Sequence, residues 1–481
     1  MKKKYVLNEN SAIERFFEEV SRIPRESGNE KDISDYLVAF AEEHRLWWYR
    51  DDICNVVIKK PASVGREESK AIMLQAHTDM VCTKTRDSDH DFLTDPIELY
   101  LNNGMLKAKK TSLGADDGWG VAYMLAILSD DTLEHPALEC VFTSQEETTN
   151  GGAKNIDISK IEARRMISLD GDEEYSTYVS CFTSERLIFE KKFEMVPAIG
   201  KTMRVKVSDM STNVYGGLLH QEAGNAIKII ARLLESVVQS GEKICLYDYT
   251  GGSGENFGPE VCTAAFCYEG DEKEITATIK KAFDELNSEF DNEDYRGNLS
   301  ISTEDKPEKS ASAEDTEKVI NLVYLVPNNL FQSKVTDMEL IAVNNIGLAK
   351  FKSGAFKLVG CVRSGYITAE AEVITHCRML AIMTGFSLET AVRYSGWPYD
   401  NNSKMRAVAN EVLNEMYGHT FEEVTCPGGL EIAHFVNRID GMDAIELGVN
   451  HFNPHAVEET MDMGSFRKMY DVIKGILAKV E

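Results

Sequence analysis

Acidic and histidine side chains recur in this sequence directly after short apolar runs. His77 and Asp79 follow the run Ala-Ile-Met-Leu, and the adjacent pair Glu146 and Glu147 follows Leu-Glu-Cys-Val-Phe. Residues i and i+2 of a strand share a face, so His77 and Asp79 can both face one site. Two adjacent carboxylates at a strand end repel one another unless a cation or a proton compensates them. A polar strand end and a surface loop remain the structural alternatives for these two segments.

Three further segments carry the same side-chain types. Asp116 and Asp117 lie in the loop Gly-Ala-Asp-Asp-Gly before an apolar helix, Asp170 ends the run Ile-Ser-Leu-Asp, and His455 lies in a loop before the last helix. A helix N-cap would explain one aspartate of the pair, but not both. Mixed His, Asp and Glu ligands suit zinc or another first-row divalent metal. Two such metals can share a carboxylate and a hydroxide, while a free carboxylate takes the proton of the attacking water.

The elements that must position these side chains alternate between strand and helix patterns. Period-3.6 segments predict helices over residues 11–22, 30–46 and 119–128, and short apolar runs predict strands over 55–59, 71–76, 138–143 and 165–169. Such alternation indicates an α/β fold whose mixed sheet has a substantial parallel part. In open α/β sheets ligands bind at the carboxyl edge, where the candidate residues fall.

The middle of the chain reads as a second α/β domain inserted into the first. A strand–helix–strand pattern occurs near 203–265 and again near 338–394, which suggests two similar halves. The polar stretch 302–316 carries most of the loop signals, and a turn-rich Ser-Gly-Trp-Pro segment ends the insertion. We therefore expect a catalytic domain over 1–199 and 399–481, an inserted domain over 200–398, and a final helix over 464–480.

Composition excludes several classes of function. The 481 residues carry a formal charge of −27, which disfavours binding to nucleic acid or to anionic membranes. No apolar run is long enough for a transmembrane helix, and no apolar stretch of a signal peptide follows the basic start. The ten cysteines form no Cys-x-x-Cys pair. Buried reduced thiols in a cytoplasmic protein are the simplest interpretation.

The ordered set of motifs resembles the co-catalytic zinc peptidases that include carnosinases, tripeptidases and carboxypeptidase G. More narrowly, nearly the whole chain is similar to the bacterial aminoacyl-histidine (Xaa-His) dipeptidases. The matching segments are Ala76-His77-Thr-Asp79-Met-Val, His90-Asp-Phe-Leu-Thr-Asp-Pro-Ile, Thr111-Ser-Leu-Gly-Ala-Asp-Asp-Gly and Gly428-Gly-Leu-Glu431. The resemblance implies an α/β zinc-peptidase catalytic domain with an inserted α/β lid domain.

The resemblance also implies a role for each candidate residue. His77 and Asp170 would bind one metal, Glu147 and His455 the other, and Asp116 would bridge both. Glu146 would act as general base toward the zinc-bridged hydroxide, and Asp79 would steer His77. The metals would be two zinc ions, with cobalt or manganese as alternatives. The enzymes that this chain resembles also share a cis peptide bond at the position of Asp116–Asp117.

The inserted domain supplies the expected substrate contacts, and one of its positions departs from the family pattern. Arg363 is the candidate for the substrate's C-terminal carboxylate because arginine binds carboxylates bidentately; a surface arginine is the alternative. The family's oxyanion-binding histidine corresponds to Val214, which cannot donate a hydrogen bond. Tyr215 and His220 are the nearest polar candidates to replace it, and an intrinsically slow enzyme is the alternative.

The function implied is metal-dependent hydrolysis of dipeptides, either Xaa-His or of broad specificity, on a short peptide substrate. Two alternatives remain open. The same site can serve an N-acyl amino acid amidohydrolase or carboxypeptidase, and a metal-binding protein with little activity would keep the ligands alone. Against the second alternative, Glu146 is intact, and a binding protein has no need of it. A homodimer formed through the lid domain is a further expectation.

Overall fold

The computed structural model describes residues 5–210, 224–255, 257–290, 296–333 and 340–481. The chain forms two compact units. The first comprises Met1–Ser180, Tyr399–Cys426 and Leu430–Glu481, and the second comprises Cys181–Pro398 and Pro427–Gly429. The second unit begins at Cys181, and its strand Thr183–Lys192 pairs with two further strands of its sheet. The expected bounds of the inserted domain, residues 200 and 398, stay a prediction.

The helices and strands of the first unit follow the alternation expected from the sequence. Its helices are α1 (Ala12–Ser21), α2 (Lys31–Glu43), α3 (Ala115–Ser129), α4 (Glu146–Thr149), α5 (Gly151–Asn155), α10 (Lys404–Tyr417), α11 (Ile432–Arg438) and α12 (Met463–Lys479). Its strands are β1 (Trp47–Arg50), β2 (Val56–Lys60), β3 (Ile72–His77), β4 (Leu99–Asn102), β5 (Met105–Ala108), β6 (Leu138–Thr143), β7 (Arg165–Gly171), β8 (Ser176–Cys181), β20 (Glu422–Cys426), β21 (Asp443–Gly448), β22 (His451–Phe452) and β23 (Thr460–Asp462).

An eight-stranded mixed sheet of order β1-β2-β6-β3-β7-β21-β8-β20 is the frame of this unit. Its centre is parallel, since β3 pairs in parallel with both β6 and β7, and β7 with β21. The central strands are buried on both faces, which explains their continuous apolar runs. The carboxyl ends of β3, β6 and β7 therefore meet at one edge.

Helix α3 is buried along most of its length and packs into the core of the first unit. The Tyr123 ring lies 5.1 Å from the ring of Phe466 in α12, and the Phe17 ring of α1 lies 6.0 Å from the same phenylalanine. This helix is apolar on all sides, as expected of a helix enclosed by other elements. Its buried position fixes its first turn, where Asp116 and Asp117 have non-helical backbone angles.

The second unit is an α/β unit built on a large antiparallel sheet, beside which β10 and β15 pair separately. Its helices are α6 (Ala226–Gln239), α7 (Glu272–Asn287), α8 (Ala313–Leu325) and α9 (Ile367–Thr384). Its strands are β9 (Thr183–Lys192), β10 (Val196–Pro197), β11 (Lys201–Ser208), β12 (Ile244–Gly252), β13 (Cys262–Tyr268), β14 (Asn298–Ser302), β15 (Lys309–Ser310), β16 (Asn329–Ser333), β17 (Leu340–Lys352), β18 (Ala355–Ser364) and β19 (Ser387–Tyr394). The main sheet has the order β14-β11-β13-β12-β17-β18-β9-β19, with β16 paired to β17.

Two expectations from the sequence concern a polar stretch and three candidate residues of the second unit. The stretch 302–316 is not a loop throughout, because α8 begins at Ala313 after Ser312, whose hydroxyl accepts a hydrogen bond from Asp315 N at 3.1 Å. Val214, Tyr215 and His220 lie outside the described residues, so their proposed roles stay predictions. No helix of the described part of the chain is long and apolar enough to cross a membrane.

Gly120 gives a test of how tightly α3 packs on β7. A Cβ at this position would lie 2.5 Å from the Leu169 carbonyl oxygen and 2.6 Å from Asp117 Oδ1. Overpacking of this kind costs about 1–3 kcal/mol, which exceeds the ~1 kcal/mol that alanine gains over glycine in a helix. We expect Gly120→Ala to lower the free energy of unfolding measured by denaturant titration. Gly254→Ala, whose Cβ would meet nothing within 4 Å, is the control. A Gly120→Ala variant as stable as the parent would contradict this packing.

Candidate metal centre

The three parallel strand ends bring the candidate residues to one edge of the sheet. His77 is the last residue of β3 and lies level with Thr143, the last residue of β6. Glu146 and Glu147 open the short helix α4 directly after β6, and Asp170 lies at the end of β7. The convergence follows from strand polarity, because parallel neighbours end at the same edge.

Asp116 lies at the centre of the cluster, between the two histidines. Its Oδ1 is 2.8 Å from His77 Nε2, and its Oδ2 is 3.1 Å from His455 Nε2. Asp170 Oδ1 lies 3.5 Å from His77 Nε2, and Glu147 Oε2 lies 3.0 Å from His455 Nε2. The two oxygens of Asp116 thus face different partner sets, as a bridging carboxylate requires.

Among the residues that the structure describes, three groups of side chains place one potential ligand atom per residue within 4.8 Å of each other. The groups are His77, Asp116 and Asp170; Asp116, Glu147 and His455; and His77, Glu146 and Glu147. The first two correspond to the two metal sites expected from the sequence, with Asp116 common to both. The third group puts Glu146 beside the same centre, at a place where it can serve as a ligand or as a proton acceptor.

Asp79 connects the His77 strand to the Glu146–Glu147 turn. Its carboxylate accepts hydrogen bonds from Glu146 N at 3.0 Å, Glu147 N at 3.3 Å and the Ser27 hydroxyl at 2.7 Å. Its Oδ1 also lies 3.5 Å from His77 Nδ1, while that nitrogen is 3.2 Å from the Asp79 carbonyl oxygen. Asp79 therefore orients the acidic turn at least as directly as it orients the His77 ring.

Arg25 and Glu459 hold the loop that carries Asp116, and sequence reasoning gave neither of them a role. Glu459 accepts hydrogen bonds from the backbone N–H groups of four successive loop residues at 2.7–3.3 Å: Leu113, Gly114, Ala115 and Asp116. Buried Arg25 donates to the carbonyls of Thr78, Asp79 and Gly114. Gly114 adopts a φ of +67°, and a Cβ there would lie 2.5 Å from Arg25 Nη2, which explains the glycine.

Asp117 turns away from the cluster of ligand atoms. Its Oδ2 accepts a hydrogen bond from His77 N at 3.1 Å, and its Oδ1 accepts one from Gly120 N at 3.2 Å. The peptide bond between Asp116 and Asp117 is cis, as predicted from the resemblance. The two adjacent aspartates thus have different contacts. Asp116 faces the two histidines of the site, and Asp117 binds backbone N–H groups of β3 and α3.

Buried acidic groups dominate the electrostatics of the centre. Burial and the neighbouring acids Asp170, Glu431 and Glu147 raise the pKa of Glu146 well above its usual value. Burial raises the pKa of Asp170 to about 6, with Asp116 and Glu147 adding to the shift against the opposing charge of His77. Hydrogen bonds to Asp116 and Glu147 raise the pKa of His455 to about 10. The carboxylates of the site thus outnumber the two histidines that can carry positive charge.

This donor set fits divalent metal ions. Within the described residues, Glu147 Oε1 is buried and has no hydrogen-bond partner, although a buried carboxylate oxygen is costly to leave unpaired. Imidazole and carboxylate donors within a few ångströms of each other are the ligands that zinc and related ions prefer. Two cations would give the orphaned oxygen a partner and would offset the crowding of negative charge.

The signals for the residues that sequence reasoning missed were present but weak. Glu459 follows His455 by four positions in the same loop segment, and Arg25 lies in a Pro-Arg-Glu-Ser-Gly turn between α1 and α2. Both side chains bind backbone groups far along the chain, for which no spacing rule exists.

Arg363, in the second unit, is buried and donates to the Pro427 carbonyl at 3.1 Å, so it is not a surface arginine.

Comparison with known proteins gives consistent results. The model of Peptidase family M20/M25/M40 matches residues 73–479. The cytosol non-specific dipeptidase of Escherichia coli strain K12 is 27% identical over 471 residues, which cover 96% of each chain. The crystal structure of an aminoacylhistidine dipeptidase from Vibrio alginolyticus matches with a TM-score of 0.91 at 25% identity, covering 98% of this chain and 96% of that one. Aminopeptidase PepT from Bacillus cereus matches at a TM-score of 0.57 and 15% identity over 99% of both chains, which concerns the fold alone.

Asp116 belongs to both proposed metal sites, so its replacement should weaken both of them. We expect the chelator-stripped protein to take up two zinc ions in a calorimetric titration. Asp116→Asn should weaken both by at least ~100-fold, the upper end of what the loss of an outer-shell partner costs. Asp172→Asn, two residues beyond Asp170 and outside the three ligand groups, is the control and should bind two ions like the parent. Two unweakened sites in Asp116→Asn would contradict a bridging role.

Proposed function

The chain belongs to peptidase family M20/M25/M40, and on that premise we propose that it is a metal-dependent dipeptidase. The observation that carries the proposal is the pair of ligand groups that share Asp116, with Glu146 beside them. The likeness to the Escherichia coli and Vibrio dipeptidases over nearly the whole chain supports it. The narrower Xaa-His preference is part of the proposal.

The metal ligands proposed are His77, Asp116 and Asp170 on one side and Asp116, Glu147 and His455 on the other. When bound, two divalent cations polarise the scissile carbonyl and lower the pKa of the attacking water. The chemistry of the donors favours zinc, and cobalt or manganese are the alternatives. Three further side chains position the ligands indirectly, because they hydrogen-bond to the backbone from which the ligands extend: Asp79, Arg25 and Glu459.

Glu146 is the group we assign to proton transfer. Its backbone N–H is held by Asp79 Oδ1 at 3.0 Å, and its Oε1 accepts a hydrogen bond from Asn150 Nδ2 at 3.1 Å. The Oε2 oxygen is thereby left to accept a proton from the attacking water. The same oxygen then returns that proton to the nitrogen of the leaving amino acid, as a general base that becomes a general acid.

Replacement of Glu146 separates proton transfer from metal binding. Glu146→Gln keeps the Asn150 partner but cannot accept a proton, so we expect kcat to fall by about 10²–10⁴. The zinc content measured on the purified variant should stay at two ions per chain. Exposed Glu162→Gln is the matched control and should keep the parent rate. Parent-like turnover by Glu146→Gln would show that another group transfers the proton.

The second unit supplies the remaining proposals. Arg363 would bind the carboxylate of the substrate's C-terminal residue, since a guanidinium offers five N–H donors in a planar fork. We also propose that the unit acts as a lid over the site. Tyr215 or His220 would then replace the family's lid histidine, whose position Val214 occupies. A homodimer through this unit and a cytoplasmic location complete it.

A substrate panel tests the proposed activity directly. The zinc-loaded protein is assayed on β-alanyl-histidine, other dipeptides and N-acetyl amino acids at equal concentrations. We expect kcat/KM on the best dipeptide to exceed that on the best N-acetyl amino acid by at least about tenfold, because sites built around polar substrate ends reject analogues lacking them. A faster reaction on N-acetyl amino acids would favour an amidohydrolase, and no turnover at all would favour a metal-binding protein.

A further inference from the structure

Glu431 is a buried carboxylate beneath the metal centre that the proposed chemistry does not use. Only 1% of its surface is exposed, and it stands at the start of α11 without capping that helix through its side chain. Its Oε2 accepts hydrogen bonds from Gln75 Nε2 and from the Thr143 hydroxyl, both at 2.6 Å. Its Oε1 accepts one from Ala153 N at 3.2 Å. One carboxylate thus binds groups of three separate elements.

Each group that Glu431 binds lies next to a proposed ligand or to the proposed base. Gln75 precedes His77 by two residues on β3, so both side chains face the same way. Thr143 is the last residue of β6, three positions before Glu146, and its carbonyl accepts hydrogen bonds from both the backbone N–H and the hydroxyl of Thr78 at 2.8 Å. Ala153 belongs to α5, which directly follows the helix that carries Glu146 and Glu147.

The hydrogen bonds continue to the third strand end. Gln75 Oε1 accepts a hydrogen bond from the Ser168 hydroxyl at 2.6 Å, and Ser168 lies level with Gln75 in the parallel register of β3 and β7. Ser168 precedes Asp170 by two residues on β7. One connected hydrogen-bond network therefore joins the ends of β3, β6 and β7, and Glu431 is the only acidic side chain among its four members.

A buried acidic side chain beside other acids is destabilising at this position. Burial, with the nearby charges of Asp170 and Asp79, raises the pKa of Glu431 to about 8. A glutamine or an apolar side chain would avoid the repulsion from the acids above it. Three donors converge on the two oxygens, however, and the hydrogen bond from Thr143 opposes this rise in the pKa. Once ionised, the carboxylate binds each donor more strongly than a neutral acceptor does.

From these contacts we infer that Glu431 is a positioning residue that sets the spacing of the metal ligands by tying the three strand ends together. The inference rests on the proposed function, because it gives Glu431 a task only if His77, Glu147 and Asp170 bind metal. Glu431 belongs to none of the ligand groups and acts through its hydrogen bonds to Gln75, Thr143 and Ala153. Its loss should therefore weaken metal binding more than it weakens the fold.

The test compares Glu431→Ala with Glu139→Ala, a matched buried carboxylate at the opposite end of β6. Glu139 accepts hydrogen bonds from Glu162 N and Ala163 N and pairs with Lys59 at 2.7 Å, so its loss also disrupts buried contacts. Zinc dissociation constants of the stripped full-length proteins are measured by chelator competition, and thermal midpoints are measured without metal. We expect Glu431→Ala to raise the zinc dissociation constant by about tenfold, the lower end of outer-shell effects. Glu139→Ala should lower the midpoint and leave the dissociation constant unchanged.

Two further variants keep the inference falsifiable if Glu431→Ala does not fold. Glu431→Gln retains one acceptor oxygen and should give an intermediate dissociation constant. Thr143→Val keeps the side-chain shape, removes one hydrogen bond to Glu431 and should raise the constant about threefold. Dissociation constants within twofold of the parent for every soluble Glu431 variant and for Thr143→Val would overturn the inference. The proposed function fails separately, if the zinc-loaded parent cleaves no peptide, whereas the binding comparison needs no turnover.

Discussion

Mutual repulsion among buried carboxylates is the constraint on which the structure around the centre depends. Asp116, Glu146, Glu147 and Asp170 meet at one sheet edge, and Asp79, Asp117 and Glu431 are buried directly behind them. Like charges in a low-dielectric interior stay together only when hydrogen bonds or cations compensate them. Backbone N–H groups, hydroxyls and amides compensate the carboxylates behind the edge. The carboxylates at the edge face one another and the two histidines, and bound metal ions would balance their remaining charge.

The position and the orientation of the ligands have different physical origins. Position comes from the parallel strands, whose carboxyl ends bring His77, the acidic turn after β6 and Asp170 to one edge. Orientation comes from side chains distant in sequence that bind backbone groups. Glu459 holds the Asp116 loop by four N–H groups, and Asp79 holds the acidic turn by two. A metal site needs both, since ligands on a correct strand but in a loose loop bind weakly.

The difference between ligand position and ligand orientation explains which features the sequence could predict. Apolar runs followed by acids mark strand ends, so the α/β fold and the convergence of the candidate residues were accessible from local patterns. Arg25 was not, because its partners are carbonyls 53–89 residues away, and Glu459 was not, because its partners lie 343–346 residues away. The ligand roles themselves, and those of Arg363, Tyr215 and His220, remain predictions.

The central claim is that Asp116 bridges two metal ions, and anomalous diffraction from a crystal of the zinc-loaded protein tests it most directly. The account predicts two anomalous peaks about 3.5–4 Å apart, one on each side of the Asp116 carboxylate. His77 and Asp170 should then bind one ion, and Glu147 and His455 the other. A single peak, or two peaks with Asp116 bound to only one of them, would contradict the account.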